Sequence, residues 1–174
     1  MWAVFVCMAA AAPTVFTAAS GGGVGFVVES SAGAVTGRVD IFTASLDLSA
    51  GTGSLVVDPA SLTTGFGPRD QRMLVASLDV VTFPELRFDV LRLQRAPGAH
   101  DTGPITLVGV LTLHGVQRPV LVPATLSRDG GQLRMVGEVP LALGDYLIAD
   151  PSVVMARVAP TAKVTFDLVG TAPE

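Results

Sequence analysis

The sequence predicts an all-β domain: about eight short antiparallel strands, closed or nearly closed into a β-barrel, with a short helix near residues 69–76. Three observations predict it. From Phe26 onward apolar and polar residues alternate with a period of two through most of the chain. The 19 Gly and 12 Pro supply the many tight turns such a fold needs. A composition 49% hydrophobic and only 15% charged rules against disorder and provides apolar surface for one core. A two-sheet sandwich carries almost the same pattern, and alternation by itself does not separate the two.

Residues 1–19 carry no charge and are nearly all apolar or small. Trp2–Ala12 has the character of a signal-peptide h-region, and Thr17-Ala18-Ala19 resembles a small-x-small cleavage site, although no Lys or Arg precedes the run. Pro13 and the small residues make a spanning helix unattractive, since crossing takes about 20 apolar residues. The expectation is an export signal over 1–19, a flexible spacer over 20–25 and the folded domain over 26–170. Gly21 to Gly25 precedes a β-run rather than joining strand to helix, so it lacks the setting of a phosphate-binding loop. Cys7 is the one cysteine, so no intrachain disulfide forms, and it would leave with the leader.

The strands follow in order. Val35–Leu48 alternates, with a break near Ala44-Ser45. Leu55, Val57 and Pro59 share one parity. Pro68 stands near a helix start, and Asp70 to Leu74 lacks strand alternation. Leu86, Phe88 and Val90 face one way, Arg87 and Asp89 the other. Arg95–Thr102 reads as a polar hairpin loop. Leu107, Gly109, Leu111 and Leu113 share a face before a tight turn at His114-Gly115. Val120–Leu126, Leu133–Val139 and Lys163–Val169 complete the series, with a hairpin turn at Arg128-Asp-Gly-Gly131. Gly144–Pro151 reads as a further strand turning at Ala149-Asp150-Pro151.

The inventory of reactive groups is thin. Net charge is −4, with no basic cluster, so no electrostatic footprint for nucleic acid exists. Two distant histidines, His100 and His114, offer no close-spaced metal-ligand pair. No Gly-x-Ser-x-Gly elbow occurs, and Asp79 and Glu85 sit where local turn bonding explains them. Arg69 and Asp70 are adjacent and do not readily pair with each other, so each reaches another segment, either pinning a loop or guarding a cavity mouth. Apolar strands with few polar groups describe a small-molecule pocket, and they equally describe any β core.

Several separated motifs add a resemblance. Gly37-Arg-Val-Asp-Ile-Phe42 resembles an early Gly-x-Phe-x-x-Phe strand, with Val39 for the first aromatic. Leu55-Val-Val-Asp-Pro-Ala-Ser-Leu-Thr-Thr-Gly65 resembles a strand entering a Ser-x-x-Thr-Gly turn. Pro68-Arg-Asp-Gln-Arg-Met-Leu74 resembles an Arg-Asp helix start with Arg72 in the usual His place. Leu78-Asp-Val-Val-Thr-Phe-Pro-Glu-Leu-Arg-Phe88 and, most closely, Gly109-Val-Leu-Thr-Leu-His-Gly-Val-Gln-Arg-Pro-Val120 continue the series. In this order they are similar to the YceI-like family and span about Phe26 to Val169.

The resemblance implies a lipocalin-like antiparallel β-barrel with a helix near Arg69-Asp70, in a protein of the periplasm or secreted. It further implies noncatalytic binding, storage or transport of a long isoprenoid lipid or isoprenoid quinone, with no catalytic residue, metal or required cofactor. The hydrophobic isoprenoid would be the partner, with transient membrane contact and no nucleic acid; no oligomeric partner is assigned. The residues expected to line the ligand are Phe42, Leu55, Val57, Phe66, Phe83, Phe88, Leu111, Leu113, Tyr146 and Phe166. Arg69, Asp70, His114 and Asp145 are expected to shape or brace the mouth. In place of the family's late Arg-Ser-x-Phe-Gly stands Leu141-Ala-Leu-Gly-Asp-Tyr-Leu-Ile148, which keeps an acid–aromatic pair at Asp145-Tyr146 without the Arg-Ser. The alternative is a ligand-free structural or stress-related interaction protein with a solid core.

Overall fold

The computed structural model describes residues 13–95, 102–152 and 156–171. Among the described residues ten strands run β1 (Thr14–Ser30), β2 (Val35–Val39), β3 (Phe42–Asp47), β4 (Thr52–Val57), β5 (Leu62–Thr63), β6 (Leu86–Arg95), β7 (Gly103–Leu113), β8 (Val116–Asp129), β9 (Gln132–Ala142) and β10 (Val158–Thr171). They form one antiparallel sheet in the order β10-β9-β8-β7-β6-β4-β3-β1-β2-β5. A further pairing of β10 with β1, from Phe16↔Gly170 to Ser30↔Val158, closes the ring. The closed ring has eight strands, with β2 and β5 as a short extension at one end. Barrel, not sandwich, is therefore the answer, and closure removes the free edges that a sheet must otherwise protect.

Local chemistry explains the turns. His114 and Gly115 both have positive φ, 51° and 72°, and connect paired residues Leu113 and Val116. Two such residues make the hairpin turn whose twist matches that of the flanking strands, and His is among the few side-chain-bearing residues enriched there. Gly130-Gly131 joins β8 to β9. At the β3–β4 turn the Asp47 carboxylate accepts from Ser49 N (2.8 Å), Ser49 Oγ (2.6 Å) and Ala50 N (2.9 Å). These bonds, that from the Ser49 hydroxyl foremost, hold its pKa below the ordinary carboxylate value.

Four expectations change. β1 begins at Thr14, inside the segment read as a leader, and Thr14–Phe16 pairs with Ala44–Leu46 of β3. Residues 20–25 belong to this strand rather than to a flexible spacer. Between Ala18 and Gly23 the register with β10 shifts, and Gly21 and Gly23 take φ of 74° and 133°, so the glycines make a bulge inside a paired strand. Apolar character did not distinguish leader from buried strand: Phe16 is only 2% exposed. Residues 1–12, with Cys7, lie outside the described residues.

The break in the Val35–Leu48 run falls at Asp40-Ile41, between β2 and β3, four residues before the expected place. Gly144–Pro151 is not a strand. Leu143–Tyr146 forms a 3-10 turn ended by Leu147 at φ 56°, and a left-handed residue there stops any extended run. Of the Arg95–Thr102 loop, residues 96–101 lie outside the described residues, and with them His100. The helix α1 (Gly67–Arg72) continues as a π turn through Met73–Ser77, close to the expected 69–76. Among the described residues no helix is long and apolar enough to cross a membrane.

Inside the barrel the two ends differ. Phe16, Leu46, Leu126, Leu133 and Leu168 are 1–2% exposed and fill the end carrying the β3–β4 and β8–β9 turns. The opposite end, ringed by α1, the β7–β8 turn and the 143–151 segment, holds a cavity.

Candidate functional site

The cavity has a volume of about 290 Å³, at the small end of the roughly 300–1,000 Å³ usual for small-molecule sites. Its walls come from every strand of the ring except β3, each supplying every second residue: Val24 and Val28 of β1, Leu55 and Val57 of β4, Leu86 and Phe88 of β6. Leu111 and Leu113 of β7, Val120 and Val122 of β8, Val139 and Leu141 of β9, and Val164 and Phe166 of β10 complete them. Among the described residues, the polar ones that line it are Thr64, Arg69, Arg72 and Ser77, all within fourteen residues. The site is thus an apolar bore with a polar lip, a form suited to a molecule with a hydrocarbon tail and one polar end.

Glycines shape the bore. Phe166 faces Gly137 across β9–β10, and a Cβ on Gly137 would strike the Phe166 ring and lie 2.6 Å from the Pro123 carbonyl oxygen. A Cβ on Gly109 would lie 2.8 Å from Cε2 of Phe88, and one on Gly37 would strike the Phe26 ring. In each case an aromatic ring from a neighbouring strand stands where a side chain would begin, at Gly109 together with the still closer Asp89 carbonyl oxygen. Beyond the main cavity a void of about 40 Å³ lies in the packed end. Leu55, Phe88, Val122 and Phe166 border both spaces and form the floor between them.

The polar lip is held by an unusually well-satisfied carboxylate. Asp70 accepts from Thr63 Oγ1 (2.7 Å), Thr64 N (2.8 Å) and Thr64 Oγ1, tying helix α1 to the end of β5. The Thr64 hydroxyl foremost keeps the Asp70 carboxyl below its ordinary range, against the opposing effect of desolvation. Arg69 turns to the same residue: its Nε donates to Thr64 Oγ1 (2.7 Å) and a terminal nitrogen to Thr64 O (3.2 Å), while the guanidinium lies 5.7 Å from the Phe66 ring centre. The adjacent acid and base do reach elsewhere, and both reach the same place. Asp70 pins; Arg69 pins and also lines the cavity.

His114 braces. Its Nδ1 donates to Tyr146 O at 3.1 Å, and its ring lies 4.4 Å from that of Phe83. Arg118 Nε donates to Asp145 O, also at 3.1 Å. Two side chains at the start of β8 and its turn thus hold the backbone of the 3-10 turn, which sends Leu143 and Ile148 into the cavity wall. Tyr146 is 3% exposed, and burial raises its phenol pKa above the ordinary value.

Of the ten residues expected to line a ligand, Leu55, Val57, Phe88, Leu111, Leu113 and Phe166 border the cavity. Phe42, Phe66, Phe83 and Tyr146 do not. Phe42 packs against the core from the short β3, and Phe66 is 56% exposed outside α1. Phe83 lies against the His114-Gly115 turn, where its ring occupies the space a Gly115 side chain would take. Asp70, His114 and Asp145 stand behind the lip rather than in it. The sequence expectations do not include Val24, which falls in the segment read as a spacer, nor Phe26, Val28, Val139, Leu141 and Val164, which lie on period-two stretches. They also omit Thr64, Arg72 and Ser77, for which no signal short of the helix position exists. Among the described residues no cluster of three or more His, Cys, Asp and Glu could hold a metal.

Comparison with known proteins agrees with this architecture. The sequence model of the YceI-like domain matches residues 17–170. BcnA of Burkholderia cenocepacia superposes with a TM-score of 0.75 at 22% identity, covering 87% of this chain and 97% of that one. A polyisoprenoid binding domain from Saccharophagus degradans, implicated in plant cell wall breakdown, gives 0.74 at 19% identity, over 94% and 99%. The Campylobacter jejuni YceI protein gives 0.68 at 13% identity, over 80% and 86%. A search of curated proteins found no significant sequence match. At such identities the structural likenesses speak for the fold.

Proposed function

The chain belongs to the YceI-like family, and from that premise and the tail-shaped bore we propose that it binds, stores or carries a long isoprenoid lipid or isoprenoid quinone. Its coarse role is that of a noncatalytic ligand-binding barrel. The observation that carries the finer reading is the cavity itself: an apolar bore, polar at one lip, in a family with a polyisoprenoid binding relative of the same fold.

A prenyl tail entering past α1 leaves water along its whole inserted length. Each methylene-sized group gains about 0.8 kcal/mol on burial, less the cost of ordering a flexible chain. The tail lies against Leu111, Leu113, Val139 and Leu141, and the polar head stays with Thr64, Arg69, Arg72 and Ser77. No group among these is placed for bond-making, and the ligand leaves as it came. A barrel filled by its own side chains, the ligand-free alternative, describes only the far half of this molecule. The uncharged apolar residues 1–12 ahead of β1 support a place in the periplasm or outside the cell, with transient membrane contact as the route to so insoluble a ligand.

The test is mass spectrometry of an organic extract of the protein purified natively from its host, beside a variant in which Leu111→Phe and Leu113→Phe fill the bore. A stoichiometric prenyl lipid or quinone in the first and none in the second is the expected result. A folded, empty protein that also refuses added isoprenoids would refute the proposal.

A further inference from the structure

We propose that the floor formed by Leu55, Phe88, Val122 and Phe166 is a ruler that sets the length of prenyl tail the barrel accepts; the inference rests on the isoprenoid reading of the cavity. These four residues border both the main cavity and the small void beyond it. Above them a tail meets apolar wall on all sides and gains with every carbon inserted. Below them the void measures about 40 Å³, room for about one water-sized group. Beyond that, Leu126, Leu133 and Leu168 are 1–2% exposed and close the barrel. Once the tail touches the floor, each additional isoprene unit stays at the mouth in contact with water and adds little.

The floor is built from opposite walls. Leu55 and Phe88 are cross-strand partners on β4 and β6, and their ring side is widened by Phe88 leaning over Gly109 of β7. On the other wall Phe166 leans over Gly137 of β9, toward the strand that carries Val122. Two glycines therefore let two rings extend across neighbouring strands, where side chains of ordinary reach would leave the bore continuous. The rings are 7% and 8% exposed.

The experiment titrates the full chain with geraniol, farnesol, geranylgeraniol and longer prenols. For the unaltered protein, affinity should rise with each added unit and then level off. Phe88→Ala and Phe166→Ala, which join the two spaces, should move the levelling-off point by an isoprene unit or more. Phe88→Leu and Phe166→Leu should move it the same way by less, and they decide the matter if the alanine variants do not fold. Leu78→Ala, which widens the cavity near the lip without touching the floor, should change affinity and leave the levelling-off point where it was. If prenols bind but the levelling-off point is the same in all folded floor variants, the ruler is overturned while the binding site stands. If no prenol binds the unaltered protein, both proposals fall.

Discussion

Along β7, Ile105 and Leu107 face the packed end of the barrel, and Leu111 and Leu113 face the cavity. Their exposures are 6%, 4%, 7% and 7%. By burial these residues are indistinguishable, yet the first pair borders at most the void of about 40 Å³, which Leu107 touches, and the second pair borders a cavity of about 290 Å³. Removal from water and close packing are separate properties. Dispersion contacts need a partner atom on the other side, and a wall of a void lacks it. The same contrast divides β8, β9 and β10, and it separates the part of the chain that makes the fold stable from the part free to hold something else.

The largest test removes a piece of the packed half. A chain starting at Ser20 loses Thr14–Ala19, which pairs with β3 and β10 and buries Phe16. Its stability in urea should fall by at least the roughly 3–5 kcal/mol of losing one buried Phe. A shortened chain as stable as the full one would instead fit removal of the segment as a leader. Next, Leu126→Ala in the packed half should cost about 3–5 kcal/mol, and Leu113→Ala at the cavity about 2 kcal/mol, because the second leaves fewer contacts unmade. Equal losses in chemical denaturation would erase the distinction. Adding atoms reverses the sign of the test: Ala124→Leu should cost about 1–3 kcal/mol by overpacking, while Leu111→Phe should cost under about 1 kcal/mol, since it grows into space.

The smallest effect is electrostatic and confined to the lip. The folded-state pKa of Asp70 lies below its ordinary 3.8, so the stabilisation it confers is complete above that value and disappears as pH falls through it toward the folded pKa. The stability difference between the unaltered protein and Asp70→Asn should shrink toward zero over that acid window and be constant near neutrality. A difference that persists in acid would mean the carboxylate charge is not what fastens Thr63 and Thr64 to the helix.

Strand parity made much of this fold readable. Leu107, Gly109, Leu111 and Leu113 share the inner face as expected, and His114-Gly115 turns where it should because two adjacent positions need positive φ. The N-terminal strand was hidden because Thr14–Ala19, read alone, satisfies the requirements of an export signal and of a buried strand alike. Leu143–Ile148 was hidden because its turn is stabilised from afar, by His114 and Arg118 on its carbonyls. Six of ten expected lining residues border the cavity. Tyr146 and Phe83 do not border the cavity, because the 3-10 turn buries the first and the second packs on the His114-Gly115 turn. Gly109 and Gly137 carry information that alternation lacks, since at each a ring and a backbone carbonyl of neighbouring strands, Phe88 with Asp89 and Phe166 with Pro123, leave no room for a Cβ.

The most direct test of the central claim is a methyl-resolved NMR titration of the full chain with farnesol. The account predicts that methyls of Leu113, Val139 and Ile148 shift in slow or saturable exchange, with those of Leu46, Leu126 and Leu133 unmoved. Saturable shifts at Leu126 and Leu133 with none at the cavity wall, or no saturable shift at either end, would contradict it.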